Sequence, residues 1–496
     1  MRKLILLFTL SFALSSSIAQ SPQYVWNENA QKIYESITSL KIPEGRKLLT
    51  LEKKGAPNNL VLILLESYAD FYELFLNEDP AQFKKLHPQF EKRLQQLATG
   101  PTNSPYYLYS LGVVQLHKSL SAIRFDKNLE GAMDFRKSYQ YFKDNRKAYP
   151  NFTPNDFYFG VMTTVVGTIP KGYQWIANIL GLNGRISDGN AMVLKYLNSK
   201  DELNKRCRNE ALLVYPYLIM NFEGNQHKTF NYIESMPYDF KRNQAHAYMA
   251  TNLYLNHQQS KKALSIIQQM DKSDAYLTLP FWNLETGYAY INELKLDAAK
   301  KALNNFVSSF KGKFYIKDAY EKLSWIAYLQ GDAKQAEAYR KLVLSVGNQI
   351  TDADKQAFQN AKKGIWPNAL LLKARLLSDG GYQTEAFNLL AGKTSNDFSI
   401  EADKTEFSYR LARIYDLKGQ DDWALKYYKS TIDRGANQPE YFAARAALQS
   451  GLIYESKRQF GKALEFYQLC INMKDHAFKN SLDQKAKSGI QRCRKQ

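Results

Sequence analysis

The chain is short of the residue types that do chemistry. Its 496 residues include only three cysteines and six histidines. His87, His117, His227, His246, His257 and His476 form no H-E-x-x-H and no pair at helical metal spacing, so no metal centre is expected. There is no G-x-S-x-G elbow, no P-loop and no G-x-G-x-x-G following a strand, which removes the common hydrolase, nucleotide and dinucleotide signatures. The adjacent carboxylates Glu78-Asp79 and Asp421-Asp422 point in different directions on a helix and cannot share a substrate. The reading is that the chain is not an enzyme and takes no cofactor.

Cys207, Cys470 and Cys493 are an odd number at no metal-ligand spacing, so at least one is unpaired within the chain. Cys470 and Cys493 are expected on neighbouring C-terminal helices. An oxidising compartment would let them bridge, and two separately buried thiols is the favoured alternative.

Long apolar runs are also missing. The longest, Phe159 to Leu182, is cut by Pro170-Lys171-Gly172 into pieces well short of the roughly 20 residues that a spanning helix needs, and reads as two buried helices joined by a turn. The mature chain is therefore expected to have no transmembrane segment. At the start, Met1-Arg2-Lys3, an apolar stretch from Leu4 to Leu14, and small residues at Ser17 and Ala19 have the three parts of a secretory signal peptide, with cleavage expected after Ala19. No cysteine lies near that junction, which argues against a lipoprotein. The expected location is periplasmic or secreted.

Charge of one sign is in excess. The net +19 becomes +17 once Arg2 and Lys3 leave with the signal. It is spread along the chain, with denser patches at Arg136 to Lys147 and at Lys479, Lys485, Lys487, Arg492, Arg494 and Lys495. No helix-turn-helix, zinc-finger or RNP signature accompanies it, so no nucleic acid partner is expected. Attraction to an anionic envelope surface or an acidic protein is weighed against a generally basic, solvated exterior, which is favoured.

What the chain does have is an internal repeat. Residues 447 to 470 run Ala447, Gly451, Tyr454, Phe460, Ala463, Tyr467, Cys470, and the preceding unit runs Leu411, Ala412, Tyr415, Gly419, Ala424, Tyr428. Earlier copies are Ala374, Gly381, Ala386; Ser324, Ala327, Gly331, Ala336; Gly287, Tyr290, Ala299; and Thr251, Tyr254, Ala263. The small residues opening each second helix, 263, 299, 336, 386, 424 and 463, are 36, 37, 50, 38 and 39 apart. The step of 50 predicts an added short helix around Asp352 to Lys363. Small residues on both helices let two backbones approach, glycine at Gly331, Gly381 and Gly419 ends the first helix in a left-handed cap, and a pair so built must stack to bury its apolar face.

These residues resemble the tetratricopeptide-repeat (TPR) family over about residues 240–496, with a period longer than the usual ~34. The first-helix large aromatic is mostly absent, and Leu377 stands where tyrosine is usual. The resemblance implies an all-α fold, an α-α superhelix or TPR solenoid, with an irregular helical N-terminal part. The expected organisation is 1–19 signal peptide, 20–235 irregular helical-repeat part, 236–476 an array of about six units, and 477–496 a capping helix and basic tail. In the N-terminal part, Leu60 to Leu76 has helical spacing, and Tyr106 to Lys118 with Gly131-Ala132 reads as an expanded repeat ending near Pro150. Gly160 to Leu182, followed by Gly184-Arg185, has a loose likeness to the apolar hairpin of larger eukaryotic TPR proteins linked to inclusion clearance.

In this family the first helix of each pair lines the groove. Phasing the units nominates Tyr248, Asn252, Asn256, Tyr288, Asn292, Trp325, Tyr328, Arg375, Asp379, Tyr409, Arg413, Asp416 and Arg445. Amides that bond a peptide backbone, arginines that grip carboxylates and aromatic anchors suit a protein or peptide partner. A sugar chain stacking on Tyr and Trp is the alternative, as in the helical-repeat capture proteins beside outer-membrane transporters, which usually carry the lipoprotein cysteine missing here. With 34 tyrosines in the chain, packing between helices competes with both readings, and a one-residue phase error moves the face.

Overall fold

The computed structural model describes residues 21–169 and 181–494. Residues 1–19, expected to be a signal peptide, Pro170-Lys171-Gly172, expected to be a turn, and Lys495 of the expected basic tail lie outside them. The described residues form 24 α-helices with short 3-10 and π turns, and none of those helices is long and apolar enough to cross a membrane. Two compact units are present. One comprises Met1–Phe75, Pro80–Phe230 and Ser273–Leu277; the other comprises Leu76–Asp79, Asn231–Lys272 and Thr278–Gln496.

The second unit is an array of six helix hairpins. In order they are Gln244–Asn256 with Ser260–Gln269, Phe281–Asn292 with Leu296–Ser309, Ile316–Leu329 with Ala333–Ser345, Ala369–Gly380 with Gln383–Leu390, Glu401–Leu417 with Asp421–Gly435, and Phe442–Ser456 with Phe460–Asn472. All six close in the same way. The amides of Gln259, Lys295, Asp332, Tyr382, Gln420 and Gln459 each donate to the carbonyl five residues back, on Tyr254, Tyr290, Ala327, Leu377, Tyr415 and Tyr454, at 2.9 Å. That bond satisfies a carbonyl the helix end would otherwise leave open. It requires a left-handed residue just before the donor. Gly331, Gly381 and Gly419 supply it at φ 81°, 90° and 69°, while Gln258, Leu294 and Arg458 adopt it with side chains at φ 62°, 57° and 57°.

Nine positions beyond each acceptor comes the small residue, Ala263, Ala299, Ala336, Ala386, Ala424 or Ala463, each 0% exposed. There the second helix presses on the first, and a longer side chain would force the backbones apart.

The long step between the third and fourth hairpins holds the helix Asp352–Lys363, capped by Thr351 and ended by Gly364 in the left-handed region. It packs on both helices of the third hairpin. The fourth hairpin packs directly on Phe281–Asn292 of the second, and its turn reaches the first: a Cβ at Gly381 would fall 2.1 Å from the Gln258 carbonyl oxygen. At the far end, Lys479–Cys493 covers the sixth hairpin. The buried Tyr467 ring fits between the two because Gly451 and Gly489 lack the Cβ atoms that would sit 2.6 and 2.5 Å from it.

The first unit is less regular but uses the same closure twice. Helices Glu28–Thr38 and Ile42–Gly55 are joined by Lys41 N–H to Ser36 O at 2.9 Å, with Leu40 left-handed at φ 66°. Helices Pro105–Arg124 and Asn128–Ala148 are joined by Lys127 N–H to Ala122 O at 2.9 Å, with Asp126 left-handed at φ 65°. The buried small residues nine positions on are Gly45 and Gly131. Between these hairpins, Leu60–Asn77 and Pro80–Leu97 are tied by Asp70, which is 1% exposed and receives Arg46 at 2.7 Å and Arg93 at 2.6 Å.

Two substitutions test the closure by urea denaturation. Arg458→Gly relieves a left-handed side-chain-bearing residue and should raise the unfolding free energy by about 1 kcal/mol. Ala424→Leu should lower it by roughly 1–3 kcal/mol through overpacking. An unchanged midpoint for Ala424→Leu would mean the approach at that site is not close.

Candidate functional site

The first helices pack in the order first, second, fourth, fifth and sixth hairpin, with that of the third also on the second, and their side chains link into a stripe. Asn252 donates to Glu285 at 2.9 Å, across the first two hairpins. Burial pushes the Glu285 carboxyl up to about 7, partly offset by the Asn252 amide. Tyr248 meets Trp282 edge-on, with centroids 5.7 Å apart. Asn256 turns back to the Asn252 carbonyl, and Asn292 donates to Ser260 at 3.1 Å.

Tyr288 donates to Asp318 at 2.5 Å, carrying the stripe to the third hairpin. Lys322 bonds Asp318 at 2.9 Å and Glu321 at 3.2 Å, while Asn360 of the added helix donates to Glu321 at 2.7 Å. The Lys322 ammonium lies 4.1 Å from the Trp325 ring centre, and the Arg375 guanidinium of the fourth hairpin lies 5.2 Å from it. Trp325 is thus a buried ring held by two cations, an attraction that grows as water is excluded. Arg375 pairs with Asp379 at 3.4 Å and its side chain remains 34% exposed. Tyr328 stacks on Trp366 at 5.0 Å, and Arg340 covers that ring at 5.1 Å.

Farther on, Arg413 bonds Asp416 at 2.5 Å, and Asp416 also accepts from Tyr428 at 2.7 Å and from Gln449 of the sixth hairpin at 3.3 Å. Tyr409 is buried among Tyr428, Tyr441 and Phe442. Arg445 and Asn256 are exposed.

Of the thirteen nominated residues, Trp325 and Tyr409 are buried, Asn256, Asp379 and Arg445 are exposed, and the remaining eight are half-buried. The linking partners Lys322, Glu285, Asp318, Glu321 and Arg410 lie on the same first helices. Lys322 sits one turn before Trp325, a spacing that could have found it. Trp366 lies in the connection after the added helix, where no repeat phase reaches. Cys207, Cys470 and Cys493 are buried free thiols, and burial pushes Cys470 up to about 12.

The first unit holds a second polar cluster. Glu210 is buried and accepts from Tyr34 at 3.2 Å and from Tyr158 at 2.9 Å, while Tyr68 hydrogen-bonds the Tyr158 hydroxyl. The Cys207 thiol donates to Tyr196 at 2.9 Å. Burial raises Glu210 to about 8, with the tyrosine hydroxyls pulling the other way. His117, bonded to Ser67 at 2.9 Å, is held neutral by burial, its pKa pushed down to about 3. Tyr34, Tyr68 and Tyr158 are at most 4% exposed, so the cluster ties helices together and offers a substrate no entrance.

No family model matches the chain, and no curated protein does. Among solved structures, the TPR domain of P58(IPK) aligns at 14% identity over 83% of this chain and 97% of its own, with a TM-score of 0.21. The Cut9-Hcn1 hetero-tetramer of APC/C aligns at 10% identity over 92% and 89%, with a TM-score of 0.27. Naa15/Naa10 bound to HypK-THB aligns at 14% identity over 94% and 66%, with a TM-score of 0.25. At such scores the description of the second unit as a solenoid of TPR-like hairpins rests on its own closure geometry.

The Glu210 cluster has a signed pH dependence. With a folded pKa of about 8 against an ordinary 4.5, its contribution to stability is complete below pH 4.5 and is lost as pH rises through 8. Between those limits stability should fall by about 1.4 kcal/mol per pH unit from this group. Glu210→Gln keeps an acceptor for the tyrosines and should flatten that slope in denaturation curves from pH 5 to 9. An equal slope in both proteins would remove the assignment.

Proposed function

We propose that this chain is an exported scaffold that holds a protein or peptide partner along the first-helix stripe of its second unit, as an accessory factor in the cell envelope. The observation that carries the reading is the bridge across the third and fourth hairpins, where Lys322 and Arg375 clasp Trp325 while Arg375 stays partly open to solvent. Carboxamides, guanidinium groups and ring edges in one row match the backbone amides and acidic side chains of an extended peptide. Export rests on the basic, apolar and small-residue segments of residues 1–19.

Cross-linking the C-terminally tagged full chain in its native cell, followed by purification, should recover one dominant protein in stable ratio. Arg375→Ala and Tyr328→Ala, which change half-buried positions, should each lower that recovery by about tenfold, the effect of losing one charged or aromatic hot spot. Equal recovery from both variants rejects the stripe as the docking face. Mass spectrometry of the purified protein should find Gln20 at its N-terminus, and a retained Met1 in an intracellular fraction rejects export.

A further inference from the structure

Positive charge is spread along the chain as a whole, but on one helix of the first unit, Asn128–Ala148, it is sorted. At 3.6 residues per turn, Leu129, Met133, Arg136, Lys137, Lys143 and Lys147 fall on one side of that helix, and all six are exposed. The row runs about 27 Å from its apolar end to its last lysine. Leu129 and Met133, one turn apart, are 77% and 64% exposed, so bare apolar surface continues directly into the cations.

The acids of the same helix do not offset this row. Glu130 turns to His87 at 3.7 Å and Lys127 at 3.6 Å, while Asp134 accepts from Gln115 and pairs with Lys118 at 3.6 Å. Asp144, the one carboxylate on the exposed side, accepts from Gln140 at 2.8 Å. Lys143 and Lys147, four residues apart, have no ion-pair or hydrogen-bond partner among the described residues. Like charges at that spacing repel and weaken a helix. The helix macrodipole favours Lys147 in the last turn, but its effect does not extend to Arg136, Lys137 or Lys143. The second unit shows the ordinary arrangement at Asp421–Gly435, where exposed Lys429 pairs with Asp433 four residues on, at 2.6 Å.

We propose that the exposed side of Asn128–Ala148 is a docking face for an anionic lipid surface, with Leu129 and Met133 entering the acyl boundary and the four cations lying at the headgroups. A bilayer answers both halves of the row at once. The apolar side chains gain by leaving water, and anionic headgroups relieve the repulsion between the lysines. An acidic protein would answer the cations alone. The face goes beyond the scaffold reading, because it belongs to the first unit and needs no partner in the stripe.

The test is sedimentation of the protein, purified from its native cell, with vesicles of phosphatidylcholine alone or with an equal part of phosphatidylglycerol. The mixed vesicles should bind it at least about tenfold more strongly, with the preference shrinking as salt rises. Lys143→Gln and Lys147→Gln should each weaken that binding about fivefold, the share of one cation near an anionic surface. Leu129→Gln/Met133→Gln should weaken it by about tenfold or more. All four positions are exposed, so Tm should stay with the parent. Lys429→Gln, a charge removed from the second unit, should change binding by less than about twofold. Residues 1–19, where retained, are common to parent and variants, so these comparisons isolate the helix. Equal binding to the two vesicle types overturns the face. So does a loss in Lys143→Gln and Lys147→Gln no larger than that in Lys429→Gln, which would make the attraction one of overall net charge. Full binding by Leu129→Gln/Met133→Gln, with loss in the lysine variants, overturns the bilayer in favour of a soluble acidic partner.

Discussion

Everything in the second unit depends on how closely two helices of one hairpin can approach. A buried alanine nine residues past the turn acceptor sets that distance, and the left-handed residue between them sets the angle. With both fixed, the first helices of the first three hairpins lie closely enough for Asn252 to reach Glu285 and for Tyr288 to reach Asp318. A wider hairpin would still be helical and amphipathic, but these side chains would meet water and not each other. The same constraint recurs in the first unit at Gly45 and Gly131, where glycine permits the approach.

The fold was legible where the rule leaves a compositional mark. Ala263 through Ala463 are small, and Gly331, Gly381 and Gly419 advertise the left-handed turn. Gln258, Leu294 and Arg458 adopt the same conformation without glycine, and at Leu40 and Asp126 the turn is equally unmarked, so the regularity of the N-terminal part was hidden. The added helix was visible as a surplus of residues, and it forms over Asp352–Lys363 as expected. Its effect on packing was not visible, because the contact between the fourth and second hairpins joins residues some 90 positions apart with no local pattern. The stripe was legible by phase as a list of residues. Its couplings between hairpins were not, since Arg375 reaches Trp325 through three-dimensional proximity alone.

The two units handle buried polarity in opposite ways. In the first, Glu210, His117 and Asp70 are enclosed and given partners until little capacity remains, so they act as fasteners between helices. Such groups are costly to bury and costly to disturb once buried. Along the stripe, Lys322, Arg375 and Arg413 are paired with acids on their own helices and keep part of their side chains, 34% for Arg375, exposed to water. Partial pairing keeps them charged and positioned without committing every donor.

The fourth hairpin's return to the second alters how the array shares its stability. In a strictly linear stack, loosening one member separates everything before it from everything after. Here the second and fourth hairpins touch directly, so the third, with the helix Asp352–Lys363 on its flank, lies on a side branch of the load path. Loss of that branch would leave the second and fourth hairpins joined through their direct contact. Trp325 sits on it. The residue at the centre of the stripe is therefore carried by the hairpin that the contact between the second and fourth hairpins does not depend on.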